Sequence, residues 1–147
     1  MNIEMNVKLL NENAKLPTYG SQCAAGADLY ACLDAPVQIE PSQTVLIHTG
    51  VAMAIPDGLV GLVFARSGLA SKKGLAPANK VGVIDSDYRG EIMVALHNHG
   101  SSAQIVEHGE RIAQIAFLPF YSASFSVVDQ LDSTERGTGG FGSTGSK

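Results

Sequence analysis

The feature that most constrains the fold is a series of short apolar runs, each closed by turn-forming residues. The runs are rich in Val, Ile, Leu and Ala, and clusters of Gly, Pro, Asn and Asp end them roughly every ten residues. This pattern is typical of an all-β sandwich or barrel. The predicted strands cover residues 37–39, 44–51, 59–65, 81–84, 91–96, 111–119 and 124–128. Only residues 68–74 suggest a helix, and that helix is short.

Length and composition favour one ordered domain followed by an arm of different character. A chain of 147 residues, with 45% hydrophobic and 16% charged residues, suits a single globular domain with a real core. Residues 136–147 differ, because they are nearly half glycine and carry one aromatic side chain. We therefore predict a β domain over residues 1–135 and a flexible arm over residues 136–147. Composition alone would make this arm a disordered tail.

The charge, the N-terminus and the cysteines argue against several classes of protein. The net charge of −4 argues against a nucleic-acid-binding surface. No apolar run is long enough to span a membrane, and the first residues lack the basic start and apolar stretch of a signal peptide. Cys23 and Cys32 are too few for a disulfide framework, so we expect both to be buried in a reducing compartment. Together these features predict a cytoplasmic protein that binds neither membrane nor nucleic acid.

Residues 81–94, VGVIDSDYRGEIMV, are predicted to form two strands joined by a tight turn. This hairpin carries two carboxylates, Asp85 and Asp87, and the phenol of Tyr88. Just before it, Asn79 offers an amide with a donor and an acceptor, which can read the edge of a base. A surface hairpin with a polar tip is the simpler interpretation of the same residues.

A second motif offers donors for an anion. The run PDGLVGLVFARSGLA is predicted to end a strand at Arg66, Ser67 and Gly68. A guanidinium, a hydroxyl and an unshielded backbone N–H at this point form a cradle suited to phosphate. An isolated RSG tripeptide is a weak signal, but its position between a strand and a possible helix strengthens it.

Two more runs place polar groups among apolar residues. In AGADLYA, Asp28 is either a turn cap or a carboxylate that requires a partner or a metal, since a lone buried charge is costly. In GERIAQIAFLP, Arg111 and Gln114 interrupt an apolar strand. Arg111 is equally well explained as a structural ion pair with Glu110 or Glu107.

With these motifs in order, the chain resembles the trimeric, all-β dUTP pyrophosphatase (dUTPase) family. The resemblance covers residues 25–145 and rests on five runs in the family's order: AGADLYA, PDGLVGLVFARSGLA, NKVGVIDSDYRGEI, GERIAQIAFLP and RGTGGFGSTG. It implies a jelly-roll-like subunit, Mg²⁺ as cofactor, and a homotrimer in which each active site draws on all three subunits. The implied reaction is hydrolysis of dUTP to dUMP and pyrophosphate, which prevents uracil incorporation into DNA and supplies dUMP for dTMP synthesis.

The resemblance also implies roles for individual residues. Asp85 would hold and activate the attacking water, Tyr88 would pack under the sugar where a 2′-hydroxyl would clash, and Asp28 would bind metal-coordinated water. The uracil edge would be read by Asn79 and by the backbone at Val83, Ile84 and Met93. The phosphates would be held by Arg66, Ser67, Gly68 and Gln114. The arm would close over the nucleotide with Arg136, Phe141, Gly142, Ser143 and Thr144.

Two alternatives stay open. A dCTP deaminase-like enzyme would share the fold but needs an acid–base group at the base ring, whereas Asp85 lies in the position of the dUTPase motif. A non-catalytic nucleotide-binding or structural jelly-roll protein would need neither Asp85 nor the FGSTG run of the arm.

Overall fold

The fold is built almost entirely from short antiparallel strands. The computed structural model describes residues 3–140. In chain order the elements are β1 (Asn6–Leu9), β2 (Thr18–Tyr19), β3 (Ala27–Tyr30), β4 (Val37–Ile39), β5 (Thr44–Ile47), β6 (Val51–Ala54), β7 (Leu59–Phe64), α1 (Ser67–Lys73), β8 (Leu75–Pro77), β9 (Val81–Ile84), β10 (Val94–Asn98), β11 (Gln104–Val106) and β12 (Arg111–Pro119). The predicted all-β, jelly-roll-like class with one short helix is confirmed.

The largest sheet has five strands in the order β2–β3–β12–β7–β9. A three-stranded sheet, β5–β10–β8, and two strand pairs, β1–β6 and β11–β4, accompany it. β12 lies at the centre of the large sheet, and its Ile112, Ala113 and Ile115 are fully buried. The sequence of a central strand that is covered on both faces is a nearly continuous apolar run, and this is why the bounds of β12 could be predicted. Its side chains join one hydrophobic core with those of Leu29, Ile47 and Leu96, among others.

The short helix α1 follows β7 after a two-residue link. It ends at Gly74, which has a φ of 67° and donates its N–H to the carbonyl oxygen of Ala70. This left-handed conformation favours glycine. Lys72 and Lys73 lie in the last turn, where positive charge interacts favourably with the helix dipole. Within residues 3–140, no helix has the length and apolar character that crossing a membrane requires.

Some local predictions were wrong. The strand predicted over residues 44–51 is two strands, β5 and β6, because the chain turns at Gly50, whose φ is 67°. Residues 124–128 form no strand in this chain and lie exposed. Cys23 is exposed and Cys32 is only half-buried, so neither is a core residue.

Candidate active site

Three neighbouring strands bring several phosphate-binding candidates to one end of the large sheet. β12 lies between β3 and β7, and its Gln114 is directly opposite Asp28 of β3 and Phe64 of β7 in the strand register. Gln114 Nε2 also donates to the carbonyl oxygen of Ala65, 2.9 Å away. Since β7 ends at Phe64, Arg66 enters the same neighbourhood. The register of the sheet therefore joins motifs that are distant in the sequence.

Asp28 lies at the centre of this group. Its side chain is 11% exposed, and its carboxylate accepts hydrogen bonds from Arg66 Nε at 2.6 Å and from Arg111 Nη1 at 3.2 Å. A carboxylate this buried needs such partners, because desolvation penalises an unpaired charge. Arg111 thus pairs with Asp28, whereas Glu110, one of its expected partners, contacts Lys73. The sequence motifs do not predict this pairing.

The guanidinium groups and the first turn of α1 leave donors accessible. The side chain of Arg66 is 25% exposed and that of Arg111 is 51% exposed. Ser67 and Gly68 are exposed in the first turn of the helix, which no side chain caps. Two guanidinium groups around one carboxylate leave a net positive charge, which suits a polyanionic ligand.

The second part of the site is a cleft within residues 81–94. The predicted hairpin is wrong in its pairing: β9 pairs with β7, and the return arm becomes β10, which pairs with β5 and β8. Because the two arms belong to different sheets, a cavity of about 230 Å³ lies between them. Its lining includes Val83, Ile84, Asp85, Tyr88, Glu91 and Met93. The exposed Asn79 precedes β9 and is not part of this lining.

The turn between the arms holds Tyr88 at the edge of the cleft. The N–H of Tyr88 donates to the carbonyl oxygen of Asp85 at 3.2 Å, and its hydroxyl donates to the carbonyl oxygen of Glu91 at 2.9 Å. The ring covers Gly90, where a Cβ would lie 2.4 Å from the hydroxyl oxygen. No larger residue fits at Gly90 without displacing the ring. The phenol is therefore fixed close to the carboxylate-bearing residue Asp85.

Glu91 is a candidate that sequence analysis missed. Its Oε1 accepts from the N–H groups of Gly50 at 2.7 Å and Thr49 at 3.1 Å, and its Oε2 lies 2.9 Å from His48 Nδ1. Burial raises the pKa of the Glu91 carboxyl, but these hydrogen bonds and the charge of His48 lower it more, so that it lies below its ordinary value of 4.5. The only signal in the sequence was a glutamate directly after Gly90, at the start of an apolar run.

The two parts of the site lie far apart within one chain. β9 runs antiparallel to β7 with Ile84 opposite Gly61, so Asp85 is level with residue 60. Arg66 lies beyond the other end of β7, and 66 − 60 gives six residue steps. This corresponds to about 20 Å at roughly 3.3 Å per residue. One chain therefore cannot bring Asp85 and Arg66 to the same ligand atom.

The donors available for a metal ion are few. Among residues 3–140, no group of three or more His, Cys, Asp or Glu side chains could hold a metal directly. Each carboxylate oxygen of Asp28 accepts one hydrogen bond from an arginine, and a carboxylate offers about four acceptor sites in all. It therefore retains acceptors for the water of a hydrated metal ion. This donor set fits a metal held through water.

Only the start of the predicted arm belongs to the described residues. There, Arg136 Nε donates to the carbonyl oxygen of Gly139 at 2.8 Å. The remaining arm candidates, Phe141, Gly142, Ser143 and Thr144, lie outside the described residues.

Comparisons with known proteins identify the family of this chain. The family profile described as dUTPase matches residues 12–145. A deoxyuridine 5′-triphosphate nucleotidohydrolase of Desulfitobacterium hafniense is 61% identical over 132 residues, which cover 89% of this chain and 87% of that protein. The enzyme of the same name from Leptothrix cholodnii is 47% identical and covers 99% of each chain. Among solved structures, the dUTPase of Staphylococcus bacteriophage 80alpha with dUpNHpp has a TM-score of 0.89 at 31% identity, covering 98% of this chain and 99% of that one.

Proposed function

The chain belongs to the dUTPase family, and from this premise we propose that it hydrolyses dUTP to dUMP and pyrophosphate by in-line attack of water on the α-phosphorus. The observation that carries the proposal is the pairing of a small cleft lined by Asp85 and Tyr88 with a separate, net positive group around Asp28. The first suits a nucleoside and the second suits a polyphosphate. Removal of dUTP would keep uracil out of DNA, and the product dUMP would supply dTMP synthesis.

In this proposal Asp85 orients the attacking water and accepts its proton. In-line displacement requires a positioned nucleophile and donors that stabilise charge on the departing pyrophosphate. The donors would be Arg66, Ser67, Gly68 and Gln114. Gln114 is held by its hydrogen bond to Ala65 and Arg66 by its ion pair with Asp28, so both side chains are oriented before the ligand arrives.

The cofactor in this proposal is Mg²⁺, which neutralises the triphosphate and fixes its geometry when bound. Asp28 would hold it through water, using the acceptor sites that its two arginines leave free. Mg²⁺ retains several waters in most protein sites, so a single carboxylate in the outer shell is a reasonable donor set.

Base and sugar recognition would come from the cleft. The uracil would lie between the arms, against the backbone of Val83, Ile84 and Met93. Asn79, two residues before β9 and outside the cleft lining, would contribute its amide from beside the cleft. Tyr88 would lie beneath the deoxyribose. Its ring lies over Gly90, which has no Cβ to displace it, and its hydroxyl is held by the carbonyl of Glu91, so that the ring would meet a 2′-hydroxyl.

A homotrimer with shared active sites would bring the two separated parts of the site together across subunit interfaces. Asp85 and Arg66 lie about 20 Å apart along β7 at roughly 3.3 Å per residue, so they would have to serve different ligands or meet across a subunit interface. In the proposed trimer, one subunit supplies the Asp28 group and a neighbour supplies the cleft. The third would supply the arm, in which Arg136, Phe141, Gly142, Ser143 and Thr144 close over the nucleotide.

An exposed apolar segment, residues 121–131, also supports assembly. Tyr121, Phe125 and Val127 are 96–102% exposed and Leu131 is 81% exposed. Over residues 121–127, apolar side chains at odd positions alternate with Ser122, Ser124 and Ser126, which is the pattern of a strand with one buried face. Exposed contiguous apolar surface of this kind marks an interaction site. We propose that the segment docks on another copy of the chain.

A groove on the same chain offers a place for this segment. It has a volume of about 1080 Å³ and is lined by Ile3, Met5, Val7, Leu16, Tyr19 and Phe117, among others. Within the described residues β1 pairs only with β6, which leaves one edge of β1 for strand addition. The docked segment would thus gain both backbone partners and apolar contacts.

The function is tested by turnover with product identification. We expect release of dUMP and pyrophosphate from dUTP in the presence of Mg²⁺, with kcat/KM for dTTP, dCTP and UTP lower by at least about 10². A 5-methyl group would clash in the cleft, and cytosine would leave buried polar groups unpaired. Comparable kcat/KM for dTTP and dUTP would refute the proposed recognition. Release of ammonia from dCTP would instead support the deaminase alternative.

The docking segment is tested by substitution on its apolar face. Replacing Phe125, Val127 and Leu131 with Ser should convert the trimer to monomer, because each removes roughly 1.5–3 kcal/mol of burial at every interface. Light scattering measures the oligomeric state, and dUTP turnover should fall as the trimer dissociates. The control replaces Ser122, Ser124 and Ser126 with Thr on the opposite face and should change neither. A stable trimer in the first variant would contradict the docking proposal.

A further inference from the structure

Glu91 joins the cleft to a neighbouring turn through both its side chain and its main chain. The carboxylate is the acceptor for three consecutive residues, His48, Thr49 and Gly50, which connect β5 to β6. The side chain is only 19% exposed. Gly50 presents its N–H from a left-handed conformation, and a Cβ there would lie 2.6 Å from Ala14. This turn is therefore a fixed anchor for the carboxylate.

The backbone beside Glu91 is tied to the same turn. The N–H of Ile92 donates to the carbonyl oxygen of Val51 at 2.8 Å, and the buried Thr49 hydroxyl donates to the carbonyl oxygen of Ile92 at 2.5 Å. Together with the carboxylate contacts, these bonds fix the position of the Glu91 carbonyl. That carbonyl in turn accepts the hydroxyl of Tyr88 at 2.9 Å. A chain of hydrogen bonds thus runs from the 48–50 turn to the phenol.

We propose that Glu91 is a positioning residue for sugar selectivity: it holds Tyr88 where the phenol excludes a 2′-hydroxyl, and so sets the preference for dUTP over UTP. The inference rests on the proposed function, because it assigns the ribose edge of the nucleotide to Tyr88. Glu91 acts through Tyr88 and through the width of the cleft that both residues line. Its role is therefore distinct from that of Asp85.

The experiment compares kcat/KM for dUTP and for UTP in a set of variants. Glu91→Ala removes all three contacts to the turn, and the ratio of kcat/KM for dUTP to kcat/KM for UTP should fall by at least about tenfold, mainly because the released Tyr88 no longer excludes the 2′-hydroxyl of UTP. Glu91→Gln keeps an oxygen for the N–H groups of Gly50 and Thr49 and should retain most of the selectivity. Glu40→Ala, which removes an exposed carboxylate outside the cleft, is the charge-matched control and should leave the ratio unchanged.

Tyr88→Phe separates positioning from general stability. This variant keeps the ring and loses only the hydroxyl that reaches the Glu91 carbonyl, so its ratio should also fall. In the double variant, Glu91→Ala with Tyr88→Phe, the two losses of selectivity should not add, because both substitutions break the hydrogen-bonded link between the 48–50 turn and the phenol. If Glu91→Ala fails to fold, the ratios for Glu91→Gln and Tyr88→Phe still decide: a selectivity unchanged in Tyr88→Phe refutes the inference.

The inference and the proposed function fail in different ways. A wild-type protein that does not turn over dUTP would refute the function. A wild-type protein that selects dUTP, with Glu91→Ala reducing dUTP and UTP turnover by the same factor, would refute only the positioning role and leave Glu91 a structural residue.

Discussion

Asp85→Asn should lower kcat for dUTP by about 10²–10⁴, the usual contribution of a general base. The amide preserves the shape of the side chain but cannot accept the proton of the attacking water. Binding of a non-hydrolysable dUTP analogue should remain close to wild type, because the amide keeps the size of the exposed Asp85 side chain and other residues form most of the cleft lining. Rapid-quench kinetics and calorimetry measure the two quantities.

The matched control for this variant lies two residues away. Asp87→Asn changes the same charge in the same exposed turn, and Asp87 is not part of the cleft lining. We expect its kcat to stay within about threefold of wild type, as for a surface charge outside the site. If Asp85→Asn retains more than about a tenth of wild-type kcat, another group must activate the water.

Two inactive variants should restore each other when they share a trimer. Arg66→Ala should lower turnover by about 10²–10³, the cost of removing one donor to developing charge. It leaves Asp28 paired with Arg111, so the subunit is expected to fold. If Asp85 and Arg66 of one site come from different subunits, mixed trimers of Arg66→Ala and Asp85→Asn contain intact sites. At random mixing about one site in four receives both native residues from its two subunits, and turnover should recover to about a quarter of wild type.

The recovered turnover of mixed trimers distinguishes active sites shared between subunits from active sites contained in one chain. Every subunit of the mixture carries one defect, so a site confined to a single chain stays inactive in any combination. Native mass spectrometry establishes that mixed trimers have formed after co-refolding, and each variant refolded alone gives the background. Turnover at the background level in proven mixed trimers would show that one chain holds the whole site, against the separation along β7.

The sequence by itself determined those elements whose apolar runs and flanking turn residues match their burial in the folded chain. β4, β9 and β12 begin and end as predicted, since each is an apolar run with turn residues or polar breaks at its ends. The helix is nearly as predicted because Gly74 ends it in a conformation that favours glycine. The order of the motifs, and with it the family, could likewise be read along the chain.

Tertiary structure alone decided which of these elements meet. Asp28 contacts Arg66 and Arg111 across 38 and 83 residues of sequence, because β3, β7 and β12 belong to one sheet and these three residues lie near the same end of it. The arms of residues 81–94 separate into different sheets, which opens a cleft where a hairpin was expected. Local propensity cannot predict either result, since strand partners are chosen by the burial of a shared core. Glu91 escaped notice for the same reason: its partners at 48–50 become neighbours only when β5, β6 and β10 pack around that core.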